Sequence, residues 1–509
     1  AGANLLLAAH ELGVDIPHLC YHPGLSVPAN CRLCIAAVGR GDERRLLPAC
    51  DIAVSEGLVV DTTAADVVRA REQALEFLLV GHALDCPVCA KAGECELQNH
   101  VFAHGRDQGR YAEEYHPHNK ADLGPRIRLY GDRCIGCTRC IRFCDEIAQS
   151  GELARVERGE RAEIDVFPGR QLDNPLAGNL VDLCPVGALV EKDAHLSPPV
   201  WQLQGVDSVC PGCSAGCNVR VDVHSKKIAR IKPRYNPQVN RYWLCDEGRY
   251  GWGYVHDEPR LDRPLIRRGG QLEEVSWDEA LAQVDQRMAL CEAGAIASSF
   301  STSATNEECY LLGHLLRDIW QTSWVSLRSS EDPAGDQRFG DGFTIRADKA
   351  PNARGATAVA AQLGIEFLPP EELWQEMAAG RIRAALLMAG HPREVLTEPE
   401  RQALAKVEFL VVLAGVESEL SQLASVVLPG VTAFEKDGTF TNVDGRVQRV
   451  CAAVPPPGVA RSDWQILARL GQLAGMDWDY GDPAAIAAAI GAPQAAAMAP
   501  LRGSVNGES

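Results

Sequence analysis

A chain of 509 residues exceeds the size at which one hydrophobic core stops growing, about 250–300 residues, so three or more domains are expected. Its formal net charge of −18 argues against nucleic acid, whose phosphates it would repel, and suits docking onto basic partner patches. No apolar run approaches the roughly 18 residues of a membrane-spanning helix, and the longest, such as 409–416, read as buried strands.

At the start of the chain, Asn4 stands as a cap ahead of Leu5, Leu6, Ala8, Ala9 and Leu12, spaced as the apolar face of a helix. Because the chain begins at Ala1 inside this pattern and without methionine, preceding sequence is expected. Sixteen of the 19 cysteines fall in the first 245 residues, grouped in short C-x2-C units. Such spacing reads as metal ligation rather than a disulfide framework, and thiolates that bind iron need a reducing compartment.

Four constellations follow in chain order. Cys20, Cys31, Cys34 and Cys50 enclose a long first gap holding Pro23, Gly24 and Pro28, a variant of the plant-type [2Fe-2S] loop with two thiolates per iron. Four cysteines on zinc is the alternative, weakened because zinc sites usually pair two short C-x2-C units. Next, Val67, Val68, Ala74, Leu75 and Leu78 mark a helix that runs towards His82, Cys86, Cys89 and Cys95. The cysteine triplet lacks a fourth ligand, and His82 is expected to supply it to a [4Fe-4S] cluster.

The third group is Cys134, Cys137, Cys140 and Cys144, with Cys184 followed by Pro185. A bacterial [4Fe-4S] run ends in Cys-Pro, whereas Asp145 follows Cys144, so Cys134, Cys137, Cys140 and Cys184 are expected on one [4Fe-4S] cluster. Cys144 is left as a buried thiol. The fourth group, Cys210, Cys213, Cys217 and Cys245, has Gly212 and Gly216 to let backbone approach sulfide, and zinc is again the bland alternative to [4Fe-4S]. Fifteen thiolates and one imidazole are thus assigned, which implies about 14 irons per chain. Cys144, Cys291, Cys309 and Cys451 remain as expected core residues.

The cysteine-rich half is expected to be loop-rich, notably over 104–125. After residue 261 the pattern becomes helices over 277–292, 306–320 and 399–406 alternating with strands over 384–388, 409–413 and 425–428, an α/β layering. From Asp482 the sequence reads as a helix followed by a frayed tail. There is no G-x-G-x-x-G fingerprint and no P-loop.

The segments Cys20-Tyr-His-Pro-Gly-Leu25, His82-Ala-Leu-Asp-Cys-Pro-Val-Cys89, Asp132-Arg-Cys-Ile-Gly-Cys-Thr-Arg-Cys140 and Asp182-Leu-Cys-Pro-Val-Gly-Ala188 resemble the large iron-sulfur subunit family of NADH:quinone oxidoreductase, respiratory complex I. Leu244-Cys-Asp-Glu-Gly-Arg-Tyr250, Thr305-Asn-Glu-Glu308 and Glu435-Lys-Asp-Gly-Thr-Phe-Thr-Asn442 resemble the molybdopterin-oxidoreductase domain that the family carries without using it. The resemblance implies a multidomain α+β and α/β fold. A [2Fe-2S] ferredoxin-type domain would span 1–61, a [4Fe-4S] domain with one His and three Cys ligands 62–102, and a [4Fe-4S] ferredoxin-like domain 103–202. A [4Fe-4S] domain of molybdopterin-oxidoreductase type would span 203–260, and a shortened molybdopterin-oxidoreductase-like domain without cofactor 261–509.

It also implies an electron-transfer subunit with no catalytic residue of its own, passing electrons from an NADH/FMN-binding partner towards quinone among the other peripheral-arm subunits. The first three clusters would form the main path and the Cys210 cluster would lie off it. Membrane association would come only through partners, at the cytoplasmic face of a bacterial inner membrane.

Three departures bear on this. The second half is short for a bis-pterin domain, which implies a lost middle section. In related formate dehydrogenases a Lys lies two residues after the last cluster cysteine and a Cys or selenocysteine holds molybdenum; here Glu247 and the stretch with Ser329 and Ser330 stand there. The family's N-terminal β-hairpin is missing before Asn4, so the [2Fe-2S] cluster is expected to be held less firmly. The rival readings are the α subunit of an NAD-dependent formate dehydrogenase, an iron-only hydrogenase, for which the cysteine-poor second half lacks ligands, and a zinc-binding scaffold.

Overall fold

The structure, a computed structural model, describes residues 2–111, 120–193, 197–257, 259–329, 332–389 and 395–491. Two compact units are present. Among the described residues the first takes in 2–203 together with 339–343, and the second takes in 204–338 and 344–491.

In the first unit, helix Leu5–Glu11 starts where expected because the Asn4 side-chain oxygen accepts from the N–H groups of Leu6 (3.0 Å) and Leu7 (3.4 Å). The same side chain donates through Nδ2 to the Cys50 carbonyl, so the cap also anchors a cysteine loop. Leu5, Leu6 and Ala9 are buried, whereas Leu12 ends the helix and is exposed. A three-stranded antiparallel sheet runs in the order Arg45–Pro48, Ile35–Val38, Val60–Asp61, and its central strand is wholly buried.

Helix Ala65–Val80 follows, with Val67 and Leu75 inward but Val68 exposed, contrary to the expected face. Buried Arg71 fastens this helix to the sheet by donating twice to the Ile35 carbonyl, at 3.1 and 2.9 Å. The stretch expected to be loop over 104–125 contains a short strand, Lys120–Asp122, paired antiparallel with Ile127–Tyr130; residues 112–119 of it lie outside the described residues. Ile127–Tyr130 also pairs with Leu189–Glu191, and Leu153–Val156 forms a hairpin with Glu163–Val166. Between these sits helix Arg139–Arg142, widening into a π turn over Phe143–Ile147.

The second unit begins with an antiparallel sheet of Gln204–Val209, Asn218–His224 and Lys227–Pro233, the middle strand central. It continues into a seven-stranded mixed sheet ordered Gln271–Glu274, Leu265–Arg268, Val426–Pro429, Phe409–Ala414, Ala384–Met388, Ile296–Ser301, Trp324–Arg328. The last five are mutually parallel, and Leu265–Arg268 runs antiparallel to both of its neighbours. Burial on both faces explains why the parallel strands read as continuous apolar runs. Ala384, Leu386 and Met388 pack with helices Trp277–Ala289 and Asn306–His314, while Ala385 and Leu387 face Leu373, Met377 and Leu404 on the other side.

The expected helices and strands of this half are all present, with shifted ends. Helix Trp277–Ala289 stops before 292, Asn306–His314 passes into a π turn over Leu315–Ile319, and Glu398–Leu404 replaces 399–406. Asp482 caps helix Pro483–Ile490, and the expected frayed tail lies beyond the described residues. Among the described residues no helix is long and apolar enough to cross a membrane.

One ionic cluster is sealed into this unit. The Lys436 ammonium lies 2.7 Å from Glu308 and 3.5 Å from Asp463, and the side chains of Lys436 and Glu308 are almost wholly buried. Burial raises the Asp463 carboxyl to about 7, against the opposing pull of Lys436. A raised carboxyl binds its proton more tightly in the folded chain, so its contribution to stability falls as pH climbs from about 4 to about 7. Lys436→Met strands two buried carboxylates and should cost about 3–5 kcal/mol. In denaturant titrations the loss should be largest above pH 7 and shrink towards pH 5; a loss that grows on acidification would contradict this assignment.

Candidate iron-sulfur centres

The first cysteine group is assembled by a loop that turns tightly at Gly24, whose N–H donates to His22 Nδ1 at 3.1 Å, and passes through left-handed backbone at Ala29 and Arg32. Cys20, Cys34 and Cys50 are buried and Cys31 is half-buried. Their thiols meet as two hydrogen-bonded pairs, Cys20 with Cys31 and Cys34 with Cys50. Within the first pair the Cys31 thiol is drawn down to about 5 by its bond with Cys20, while Cys20 is pushed up by that bond and by burial. Cys34 is lowered and Cys50 raised in the same way. Two pairs, each sharing protons that a metal would displace, match two thiolates per iron.

The second group follows helix Ala65–Val80. Cys86 opens a 3-10 turn and Cys95 stands at the N-cap of helix Glu96–His104. Burial raises the Cys89 and Cys95 thiols, and Cys89 feels Cys86 as Cys95 feels Cys89. His82 Nδ1 is buried with no hydrogen-bond partner, while the ring makes a backbone hydrogen bond with Arg133. His82 and Cys89 face the same two charges, Asp85 and Arg133, which form an ion pair. A side chain could not replace Gly187 here, because its Cβ would lie 2.2 Å from Cys89 Sγ. An orphaned buried imidazole nitrogen and a sulfur cradled against bare backbone fit a ligand set.

Cys134, Cys137, Cys140 and Cys184 line one small cavity walled by Leu129, Ile164 and Leu189. Burial lifts Cys134 to about 11 and Cys137 to about 12, with the neighbouring thiols adding to the rise. Gly136, at φ +62°, turns its N–H towards Cys134 Sγ at 3.4 Å. Cys144 does not line this cavity. It is buried beside Ser150 and Glu152, its thiol pushed up to about 12 chiefly by burial.

The fourth group is buried throughout. Cys245 caps helix Asp246–Tyr250, its Sγ accepting from Gly248 N–H at 3.3 Å, and Gly212 N–H donates to Cys210 Sγ at 3.4 Å. A Cβ on Gly248 would stand 3.0 Å from Cys210 Sγ and 3.5 Å from Cys245 Sγ, so glycine is what lets backbone reach both sulfurs. Among the described residues no three His, Cys, Asp or Glu side chains close on one point as a single bound ion would draw them. Of the remaining cysteines, Cys309 is buried, but Cys291 and Cys451 are only half-buried, a correction to their expected core placement.

Three basic residues that sequence reasoning did not single out organise the first three groups. Arg139 donates to Glu96 at 3.0 and 3.1 Å, to the Leu183 carbonyl at 3.2 Å and to the Tyr21 carbonyl at 2.8 Å. Arg142 Nη2 donates to the Cys20 carbonyl at 2.6 Å, and Arg133 to the Gly187 carbonyl at 3.3 Å. Their one local signal is position in or beside a C-x2-C-x2-C run.

A separate cavity lies at the C-terminal ends of strands Ile296–Ser301 and Phe409–Ala414, lined by Ser301, Arg328, Gly415, Thr432, Lys436 and Asp463 among others. These residues do not fit a molybdenum centre. Lys436 is already committed to two buried carboxylates, and the described lining residues offer no thiolate. Ser329 is exposed, and Ser330 lies outside the described residues.

Family models match in the same order as these sites. They are a 2Fe-2S iron-sulfur cluster binding domain over 1–65 and an NADH-ubiquinone oxidoreductase-G iron-sulfur binding region over 71–110. A ferredoxin-like domain of NADH-quinone oxidoreductase subunit 3 follows over 124–190, then a molybdopterin oxidoreductase Fe4S4 domain over 203–257. Molybdopterin oxidoreductase matches 260–353 and 337–473.

The G-type subunit of NADH-quinone oxidoreductase from Rickettsia conorii is 35% identical over 64% of this chain and 48% of its own length. The mitochondrial 78 kDa subunit of NADH-ubiquinone oxidoreductase from Candida albicans is 28% identical over 95% of this chain and 82% of its own. A solved NAD+-reducing [NiFe]-hydrogenase in its H2-reduced state shares 31% identity over 39% of this chain and 85% of its own, with a TM-score of 0.36. The chain spans about half the length of the first of these relatives. With iron-sulfur and molybdopterin-oxidoreductase domains in this order, and relatives named as the G-type or 75 kDa subunit, the chain is similar to the large iron-sulfur subunits of NADH-quinone oxidoreductase.

Proposed function

We propose that this chain is an iron-sulfur electron-transfer subunit of an NADH:quinone oxidoreductase. The observation that carries the reading is the third site, where Cys184 joins Cys134, Cys137 and Cys140 around one cavity across more than forty residues of chain while Cys144 stays outside. The assignment is one [2Fe-2S] cluster on Cys20, Cys31, Cys34 and Cys50, and [4Fe-4S] clusters on three further sets. These are His82 with Cys86, Cys89 and Cys95; Cys134, Cys137, Cys140 and Cys184; and Cys210, Cys213, Cys217 and Cys245. The segments 1–61, 62–102, 103–202 and 203–260 would each carry one of them.

When bound, such clusters supply one-electron redox chemistry. The chain's own residues make and break no bonds. They hold the sulfurs in apolar surroundings, aim backbone N–H groups at Cys134, Cys210 and Cys245, and bring three sites of the first unit within reach of one guanidinium. Electrons would arrive from a partner that oxidises NADH through FMN and leave towards quinone through other peripheral-arm subunits. Docking on those partners would hold the chain at the cytoplasmic face of a bacterial inner membrane. A formate dehydrogenase α subunit needs a molybdenum site, which the second unit's cavity does not fit.

Cys184→Ser should remove one [4Fe-4S] EPR signal and about four irons per chain, whereas Cys144→Ser should leave both unchanged. His82→Cys should keep the iron content while moving one signal, because thiolate in place of imidazole makes that cluster more negative. Loss of the cluster on Cys144→Ser, or an unmoved spectrum on His82→Cys, would overturn the corresponding ligand.

A further inference from the structure

The Cys210 site is closed by a segment more than a hundred residues downstream. Ser214 N–H donates to the Asp348 carbonyl at 2.9 Å, and the Arg346 backbone hydrogen-bonds the Cys213 sulfur. The segment is itself braced: Asp336 accepts from Ala347 N–H at 2.8 Å and pairs with the Arg346 guanidinium at 2.9 Å, while Asp332 N–H donates to the Ala347 carbonyl at 2.8 Å. So positioned, Lys349 sets its ammonium 2.6 Å from Glu247, two residues after Cys245; its charge acts on the sulfurs of Cys213 and Cys245, and that of Glu247 acts on those of Cys210, Cys213 and Cys245. The Lys349 side chain is 19% exposed and that of Glu247 is 53% exposed. The cation is therefore the less screened member of the pair.

Reduction of a cluster adds one negative charge and moves no proton or bond. A fixed ammonium beside two of its ligands stabilises the reduced form more than the oxidised one, and a nearby carboxylate does the reverse. We propose that Lys349 raises the reduction potential of the cluster on Cys210, Cys213, Cys217 and Cys245, and that Glu247, half in water, opposes it. This rests on that quartet holding a [4Fe-4S] cluster. The lysine takes up a position that no local motif marks, reaching the site from a different part of the chain.

The test is an EPR-monitored potentiometric titration of the full chain as isolated under anaerobic conditions, with the signal assigned by its loss in Cys245→Ser. Lys349→Met should shift that midpoint to more negative potential, Glu247→Gln should shift it to more positive potential, and Lys349→Arg should stay near the parent. The other clusters' midpoints should not move. Opposite shifts would distinguish charge from support, since a merely structural role predicts loss of signal in both variants. If Lys349→Met forfeits the cluster, Lys349→Gln and Glu247→Gln carry the comparison. Unmoved midpoints, or shifts of the same sign, with iron content intact overturn the proposal. Failure of Cys245→Ser to remove any signal or iron overturns instead the reading that the quartet holds a cluster.

Discussion

The arrangement of the first unit depends on the buried Arg139 guanidinium. Its side chain is 3% exposed, yet it reaches the carbonyl beside Cys20, the carboxylate beside Cys95 and the carbonyl before Cys184. A buried cation is tolerated only when paired and hydrogen-bonded, and Glu96 with two backbone carbonyls meets that demand at both terminal nitrogens while Nε has no partner. The consequence is mutual: each cysteine segment presents an acceptor that needs the arginine, so three loops that could not bury much apolar surface alone are held in fixed register. Arg142, on the Cys20 carbonyl, and Arg133, between Asp85 and the Gly187 carbonyl, repeat the device at either end of the same ten-residue stretch. Positive charge in that position also offsets the negative charge that thiolate sites accumulate.

The second unit is held differently. Its parallel strands bury both faces, and its cavity lies where such sheets place ligands, beyond the carboxyl ends of the strands. Lys436 and Asp463, which line that cavity, belong to the chain's own ion cluster with Glu308. The sulfur site of this unit lies instead beneath the Asp348 segment and the Asn442 side chain, which donates to the Ala215 carbonyl at 3.1 Å.

Much of this was legible locally. Cysteine spacing marks the sulfur groups because several cysteines of each recur at short intervals, and the Cys-Pro pair at 184–185 points to the distant partner that the cavity brings in. Asn4 and Asp482 announced their helices because a cap is a bond between neighbours, and strand Ala384–Met388 was readable from its apolar run. What escaped is long-range. Arg139, Gly187 and Lys349 owe their roles to partners about 40 to 140 residues away, and no period or motif encodes such pairing. Spacing extends the helix at 277 too far because Leu290 and Cys291 continue the apolar pattern after the backbone has turned, with Cys291 N–H closing back on Met288. Spacing alone puts Val68 on the buried face, whereas the partners of that helix leave it in solvent.

Mössbauer spectroscopy of the oxidised, iron-57-enriched chain tests the four-cluster assignment most directly. Four clusters predict about 14 irons, about one seventh of the spectral area in [2Fe-2S] form, and about one iron in twelve of the [4Fe-4S] population bearing a nitrogen ligand at His82. A chain that carries stoichiometric zinc with little iron, or an iron spectrum without a [2Fe-2S] fraction, would contradict it.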